Sequence, residues 1–225
     1  MGIKEIIKYY IDERNPLVIV RRSKMRKALK NKSPTFFCPN CIGGILFHDL
    51  GIKFHSPMVN LMMKQKDFVK FLLDWENYLS KDLTFFDKYG YSFPCAYLGD
   101  ITIHFTHYSN EKVALEKWKS RLQRIDKENL FVFLQERDGL TRDDILSLNE
   151  LRVRGLVVFT SKEYPDIPYT LKIPENDLES GVVGNVLKKN WLTGQRKYET
   201  YFDFVKWFNV ANYDHAESIK MCRKC

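Results

Sequence analysis

The sequence predicts an α/β fold: a Rossmann-like three-layer domain with a mainly parallel sheet. Two near-continuous apolar runs, Leu130 to Leu134 and Leu156 to Phe159, carry the first argument. Strands covered on both faces lose the polar alternation of a half-exposed sheet. Segments of helical period separate these runs, the order expected of strand, crossover helix and strand. Hydrophobic residues make up 44% of the 225, with 16 Phe, 12 Tyr and 4 Trp, enough to fill one large core.

Taken in order, Ile3, Ile6, Ile7 and Tyr10 predict a short amphipathic helix over Gly2 to Tyr10. Leu17 to Val20 is apolar and compatible with helix or strand. Met25 and Leu29, four apart, extend a helix through the basic stretch to Lys32. Thr35 to Cys38 reads as a short buried strand ended by Pro39-Asn40, and Cys41 to Leu50 as a helix opened by a glycine pair. Phe68, Phe71, Leu72, Trp75 and Leu79 form one stripe of a helix from Asp67 to Leu79. Leu98 to Phe105 reads as a single strand, with Ile101, Ile103 and Phe105 on one face and Thr102 and His104 on the other. A charged helix follows from Asn110 to Arg124, and Thr141 to Asp144 carries a capping signal for a helix to Leu151. Tyr169 to Ile173 suggests one more strand, and Glu199 to Trp207 a helical stripe. The chain divides into a basic N-terminal helical segment (1–33), an α/β domain (34–208) and a C-terminal tail (209–225).

A net charge of +8 favours anionic partners: nucleic acid, a lipid surface or phosphorylated small molecules. The basic residues gather in Arg21 to Lys27 with Lys30 and Lys32, and again at Lys188-Lys189 and Arg223-Lys224. A solvated basic face is the plain alternative. No nucleic-acid motif is present, and the aromatics follow core periodicity, so nucleic acid is not expected. No run approaches the roughly 18 apolar residues of a membrane span, and the N-terminus lacks the apolar core of a signal peptide. The expected location is the cytoplasm, with peripheral contact on the inner membrane leaflet as an option. Five cysteines, an odd number, argue against a disulfide framework.

In open parallel sheets, ligands bind beyond the carboxyl ends of the strands, where helix N-termini converge. That rule selects four loops: 40–44, 104–109, 135–141 and 160–165. Gly43 and Gly44 at a strand-to-helix turn would let backbone N–H groups approach a phosphate, with Asn40 beside them; tight helix packing is the competing explanation. Cys41 at a helix N-terminus invites a lowered thiol pKa and a nucleophilic role, against the commoner fate of a structural thiol. Asp138 suits a general base for a sugar hydroxyl, a hydroxyl-binding carboxylate or a metal ligand, and Arg137 a phosphate ligand; an exposed Asp-Gly turn is the competing explanation. His104 and His107 bracket a strand end and could exchange protons or bind phosphate. Thr160, Ser161 and Lys162 offer hydroxyls and an ammonium. Cys38-x-x-Cys41 and Cys222-x-x-Cys225 have half-site zinc spacing, but lie far apart in the chain, and no Asp-x-Asp supports a divalent metal. No cofactor is assigned with certainty, and a divalent metal is not supported.

Several segments together resemble one known family. Phe37-Cys38-Pro39-Asn40-Cys41-Ile42-Gly43-Gly44, His48-Asp49-Leu50-Gly51 and Ser56-Pro57 are similar to its opening signature. Ile103 to Tyr108 with Glu116-Lys117-Trp118 and Arg121, Arg137 to Thr141, Phe159 to Lys162 with Tyr164-Pro165, and Tyr201 to Trp207 match further stretches. The likeness runs from about residue 34 to 208 and marks the bacterial exopolysaccharide and capsular-polysaccharide biosynthesis proteins. Cys38 departs from the pattern, which has Ser there, and this weakens a zinc site further. The resemblance implies a glycosyltransferase moving a sugar, galactofuranose being one option, from a nucleotide-sugar donor to a lipid-linked glycan acceptor. Asp138 and His104 would then be catalytic, with Asn40, Cys41, Gly43, Gly44, His107, Arg137, Thr160, Ser161 and Lys162 holding substrate. Transfer of a phosphoryl or acyl substituent onto the glycan, or a non-catalytic precursor-binding scaffold, are the rival expectations.

Overall fold

A computed structural model describes residues 14–87 and 90–224. The helix expected over Gly2 to Tyr10 lies outside the described residues. Helix α1 (Pro16–Ala28) leads into β1 (Thr35–Phe37), α2 (Ile42–Leu50), α3 (Gln65–Leu73) and α4 (Trp75–Ser80). Next come β2 (Leu83–Phe86), β3 (Cys95–Leu98), β4 (Ile101–His104) and α5 (Glu111–Leu122). The second half runs β5 (Leu130–Gln135), α6 (Arg142–Leu146), β6 (Gly155–Thr160), β7 (Thr170–Lys172), β8 (Leu178–Glu179) and β9 (Val182–Val183). It ends in α7 (Lys197–Tyr201), α8 (Phe204–Val210) and α9 (His215–Cys222).

The central sheet is four-stranded and parallel throughout, in the order β1-β5-β6-β7. Every residue of β1, β5 and β6 is buried, as their apolar runs require. Register puts Phe36, Phe131 and Phe133 on one face. There Phe36 meets Phe47 of α2 at 6.2 Å and Phe208 of α8 at 5.5 Å, while Phe131 meets Trp207 at 5.0 Å. Phe37 points to the other face and packs on Phe71 and Trp75 at 5.6 Å each. Helices therefore cover both faces, the three layers a Rossmann-like domain requires. Edge-to-face ring pairs of this kind add about 0.5–1.5 kcal/mol each beyond area burial. Strand order follows chain order, so no reversal opens a crevice between neighbouring strands. Access at the carboxyl edge depends instead on the segments laid over it.

Several expected elements are corrected. Leu98 to Phe105 is not one strand of the parallel sheet: β3 and β4 form a hairpin, Leu98 pairing with Ile101 across Gly99-Asp100. Gly99, at φ 61°, supplies the positive dihedral this two-residue turn needs. With β2 the hairpin makes a separate three-stranded antiparallel sheet. The helix expected over 67–79 breaks at Asp74, whose φ of −146° is not helical and whose carboxylate accepts from Asn77 Nδ2 at 2.7 Å. The stripe from Glu199 to Trp207 divides at Phe202-Asp203, because the Asp203 carboxylate caps α8 by accepting from Lys206 N. The helix expected to reach Leu151 shortens to α6 and a 3-10 turn over Ser147–Glu150, although its Thr141–Asp144 capping box forms. Helix α1 stops at Ala28 rather than Lys32.

The described part of the N-terminal segment packs on the domain. Val18 and Leu29 are buried. Arg21 bridges Asp49 of α2 at 2.5 Å and Glu199 of α7 at 2.6 Å. The C-terminal segment does the same through the buried Ile219 and Cys222.

Candidate functional site

The turn after β1 is built around sulfur and amide rather than open backbone. Cys38 Sγ donates to Asn40 O and accepts from Gly43 N, both at 3.2 Å. Asn40 Oδ1 accepts from Ile42 N at 2.9 Å. The amides of Ile42 and Gly43, the first two of α2, are thus engaged within the turn. The glycines serve close approach: a Cβ on Gly43 would stand 2.9 Å from Cys38 Sγ, and one on Gly44 would collide with Asn60 Oδ1.

Cys41 caps α2 from the αR region, half-buried, next to the Thr106 hydroxyl and the charge of Arg196. Burial pushes its thiol above the ordinary value; the Thr106 hydrogen bond and Arg196 pull the other way but do not prevail. Cys38 and Cys222 are pushed up by burial to about 12. Cys225 lies outside the described residues. No group of three His, Cys, Asp or Glu side chains able to hold a metal occurs among the described residues.

Beside this turn lies a cleft of about 390 Å³. It is lined by Gly44, Ile45, His48 and Asp49 of α2, Val18 and Arg22 of α1, Phe54, and Lys189, Gly194 and Arg196. Asn60, held at φ 60°, also lines it. Asp49 is the only carboxylate in this lining, and it already engages Arg22 at 2.8 Å and Arg21 at 2.5 Å. Arg196 is different. It spends one nitrogen on Leu187 O at 3.0 Å, while its buried Nε has no hydrogen-bond partner among the described residues. Burial raises the Glu199 carboxyl above its ordinary value, against the pull of Arg21. Tyr198 is wholly buried, its hydroxyl has no hydrogen-bond partner among the described residues, and burial pushes its pKa well up.

The loops after β5 and β6 are tied to each other. Glu136, buried, accepts from Ser161 N at 2.6 Å, Ser161 Oγ at 2.7 Å and Tyr164 O–H at 2.7 Å. Thr160 Oγ1 donates to Lys162 O at 2.8 Å. Ser161 and Thr160 are thus engaged within the protein, and the side chain of Lys162 is exposed. Asp138 and Gly139 both take positive φ, 55° and 77°, making a tight exposed turn in which Arg137 Nε stands 3.7 Å from Asp138 Oδ1.

The two histidines part company. His104 sits in β4, only 3% exposed, with Nδ1 at 3.3 Å from Cys95 Sγ and its ring stacked 5.6 Å from Tyr91. A proton-transfer role at a solvent crevice does not suit that burial. His107 is exposed three residues later. The structure gathers Asn40, Cys41 and Gly44 with Thr106, Asn60 and Arg196, and places Glu136, Asp138 and Ser161 along the other parallel strand ends. Sequence reasoning missed Asn60 and Arg196, which follow no motif. Glu136, immediately after an apolar strand, was visible as a charge at a strand end.

Fold and site together define a three-layer α/β domain with a cationic cleft beside the first strand-to-helix turn. The family model described as "Domain of unknown function (DUF1919)" matches residues 15–209. A protein of Haemophilus influenzae (strain ATCC 51907 / DSM 11121 / KW20 / Rd), named "Uncharacterized protein", is 36% identical over 205 residues, covering 91% of this chain and 97% of that one. The chain belongs to the DUF1919 family.

Proposed function

We propose that the protein is a glycosyltransferase of surface-polysaccharide assembly that draws sugar from a nucleotide donor, with the donor's diphosphate in the cleft between α1, α2 and the 189–196 loop. One observation carries the reading: Arg196 lines this cleft, and no carboxylate among the described residues is paired with its guanidinium. A guanidinium so placed favours a phosphate oxygen over a neutral group. Asn60, packed against Gly44, offers an amide to the same cleft. This replaces the glycine amides by side-chain cations as the phosphate ligands. The acceptor would be a lipid-linked glycan, as the sequence resemblance implies. Transfer through a Cys41 thiolate has less support, because burial holds that thiol neutral.

Ligand-induced stabilisation tests the proposal. Purified protein is melted with UDP-, GDP-, CMP- and dTDP-sugars at low salt. A donor at about 100 times its Kd contributes about 2.7 kcal/mol, a rise in Tm of roughly 5–10 °C for a chain of this size. Arg196→Ala should weaken that donor by about 10–100-fold. Absence of any shift in the wild type, or an undiminished shift in Arg196→Ala, would overturn the reading.

A further inference from the structure

The first turn of α1 turns apolar side chains to solvent. Leu17, Ile19 and Val20 are 47%, 51% and 50% exposed, and Trp191 and Leu192 are 78% and 45% exposed. Asn15 Nδ2 donates to Leu192 O at 2.8 Å across 177 positions of chain. Val18 fits against Gly194, where a Cβ would stand 2.8 Å from its methyl. Two distant segments thereby build one exposed apolar patch containing Trp191, the most exposed large hydrophobic side chain among the described residues.

The same helix changes character beyond that turn. At about 100° per residue, Val20, Lys24 and Lys27 fall on one outward stripe. No acidic residue occurs from Pro16 to Ser33, whereas seven Lys and Arg do. An apolar tip continued by an unopposed cationic stripe matches a bilayer surface, where Trp and aliphatic groups enter the headgroup boundary and ammonium groups meet lipid phosphates. Self-association fits worse, since a two-fold contact would bring the same cations of two copies together.

We propose that this patch docks the protein on an anionic lipid bilayer. Trp191, Leu17 and Val20 enter the interface, and Lys24 and Lys27 pair with headgroup phosphates. Val18 and Gly194 line the cationic cleft, and Leu17 and Leu192 lie one and two residues from them, so patch and cleft share an edge. Docking therefore holds the cleft mouth at the lipid surface, where a lipid-linked acceptor is confined. Only this last consequence rests on the transferase reading.

The test floats the full chain with vesicles of phosphatidylcholine alone or with roughly 30% phosphatidylglycerol, without nucleotide sugar. The wild type should float with the anionic vesicles and show blue-shifted Trp emission. Trp191→Ser with Val20→Ser should lower partitioning about tenfold or more, and Lys24→Gln with Lys27→Gln by a similar factor. All four side chains are exposed, and matching melting curves establish that the variants fold. A wild type that does not float overturns the proposal, as does one whose flotation ignores Trp191→Ser with Val20→Ser. A dimer in sedimentation that the apolar double variant abolishes, with no vesicle binding, assigns the patch to a second copy instead. Donor binding is measured separately, so its failure leaves the docking result standing.

Discussion

Cys41 shows how one residue's chemistry is set by what surrounds it. Its position at the start of α2 argues for a stabilised thiolate, yet desolvation outweighs the Thr106 hydroxyl and Arg196 together. Iodoacetamide labelling of the Cys41 peptide, followed by mass spectrometry across pH, should therefore rise with a midpoint above 9.0, the ordinary thiol value. Arg196→Ala should move that midpoint higher still. A midpoint near 7 would show an activated nucleophile and revive the thiolate mechanism. Cys38 and Cys222, pushed to about 12, should stay unlabelled until the protein unfolds. Asn40, Cys41 and Gly44 were legible in the sequence because a glycine pair after a buried strand marks a turn. Arg196 was not legible, since its role comes from Leu187, Lys189 and α2 folding back around it.

At the level of elements, the parallel strands were readable and the antiparallel sheet was not. Unbroken apolar runs in β5 and β6, separated by segments of helical period, read as strands buried on both faces. The alternation from Leu98 to Phe105, by contrast, is equally consistent with one strand or with a hairpin, and Gly99 decided between them. Helix breaks at Asp74 and Asp203 were hidden for a similar reason: an aspartate can sit on a helix or cap the next one, and packing selects. Gly155 illustrates a position where sheet and helix are fitted to one another. A Cβ there would stand 2.7 Å from Phe131 and 2.8 Å from the Trp207 ring. Gly155→Ala should cost about 1–3 kcal/mol through overpacking and lower Tm by roughly 3–10 °C, measured by calorimetry. An unchanged Tm would mean that α8 moves freely on the sheet.

For the whole molecule, burial makes alkaline pH the vulnerable side. Tyr169, 1% exposed and donating to Ile145 O at 2.8 Å, is pushed by burial from 10.0 to about 12. Tyr164, beside the buried Glu136, is also raised to about 12, chiefly by burial and then by its hydrogen bond to that carboxylate. A folded-state pKa above the unfolded one means that the folded chain holds its proton longer. The associated stability is complete below about pH 10 and is lost as pH climbs from 10 toward 12. Urea unfolding across pH 8 to 12 should show that decline, reduced in Tyr169→Phe; a flat profile in the wild type would contradict it. The sequence by itself determined the α/β class, the buried parallel strands and the basic helix, because hydrophobic period and charge are local properties. Only the tertiary structure decided which polar groups are spent inside the fold. It engages His104, Ser161 and the Gly43 amide within the protein, and Arg196 Nε has no hydrogen-bond partner among the described residues. Hydrogen-bond partners and desolvation depend on residues far apart in the chain, which no local pattern records.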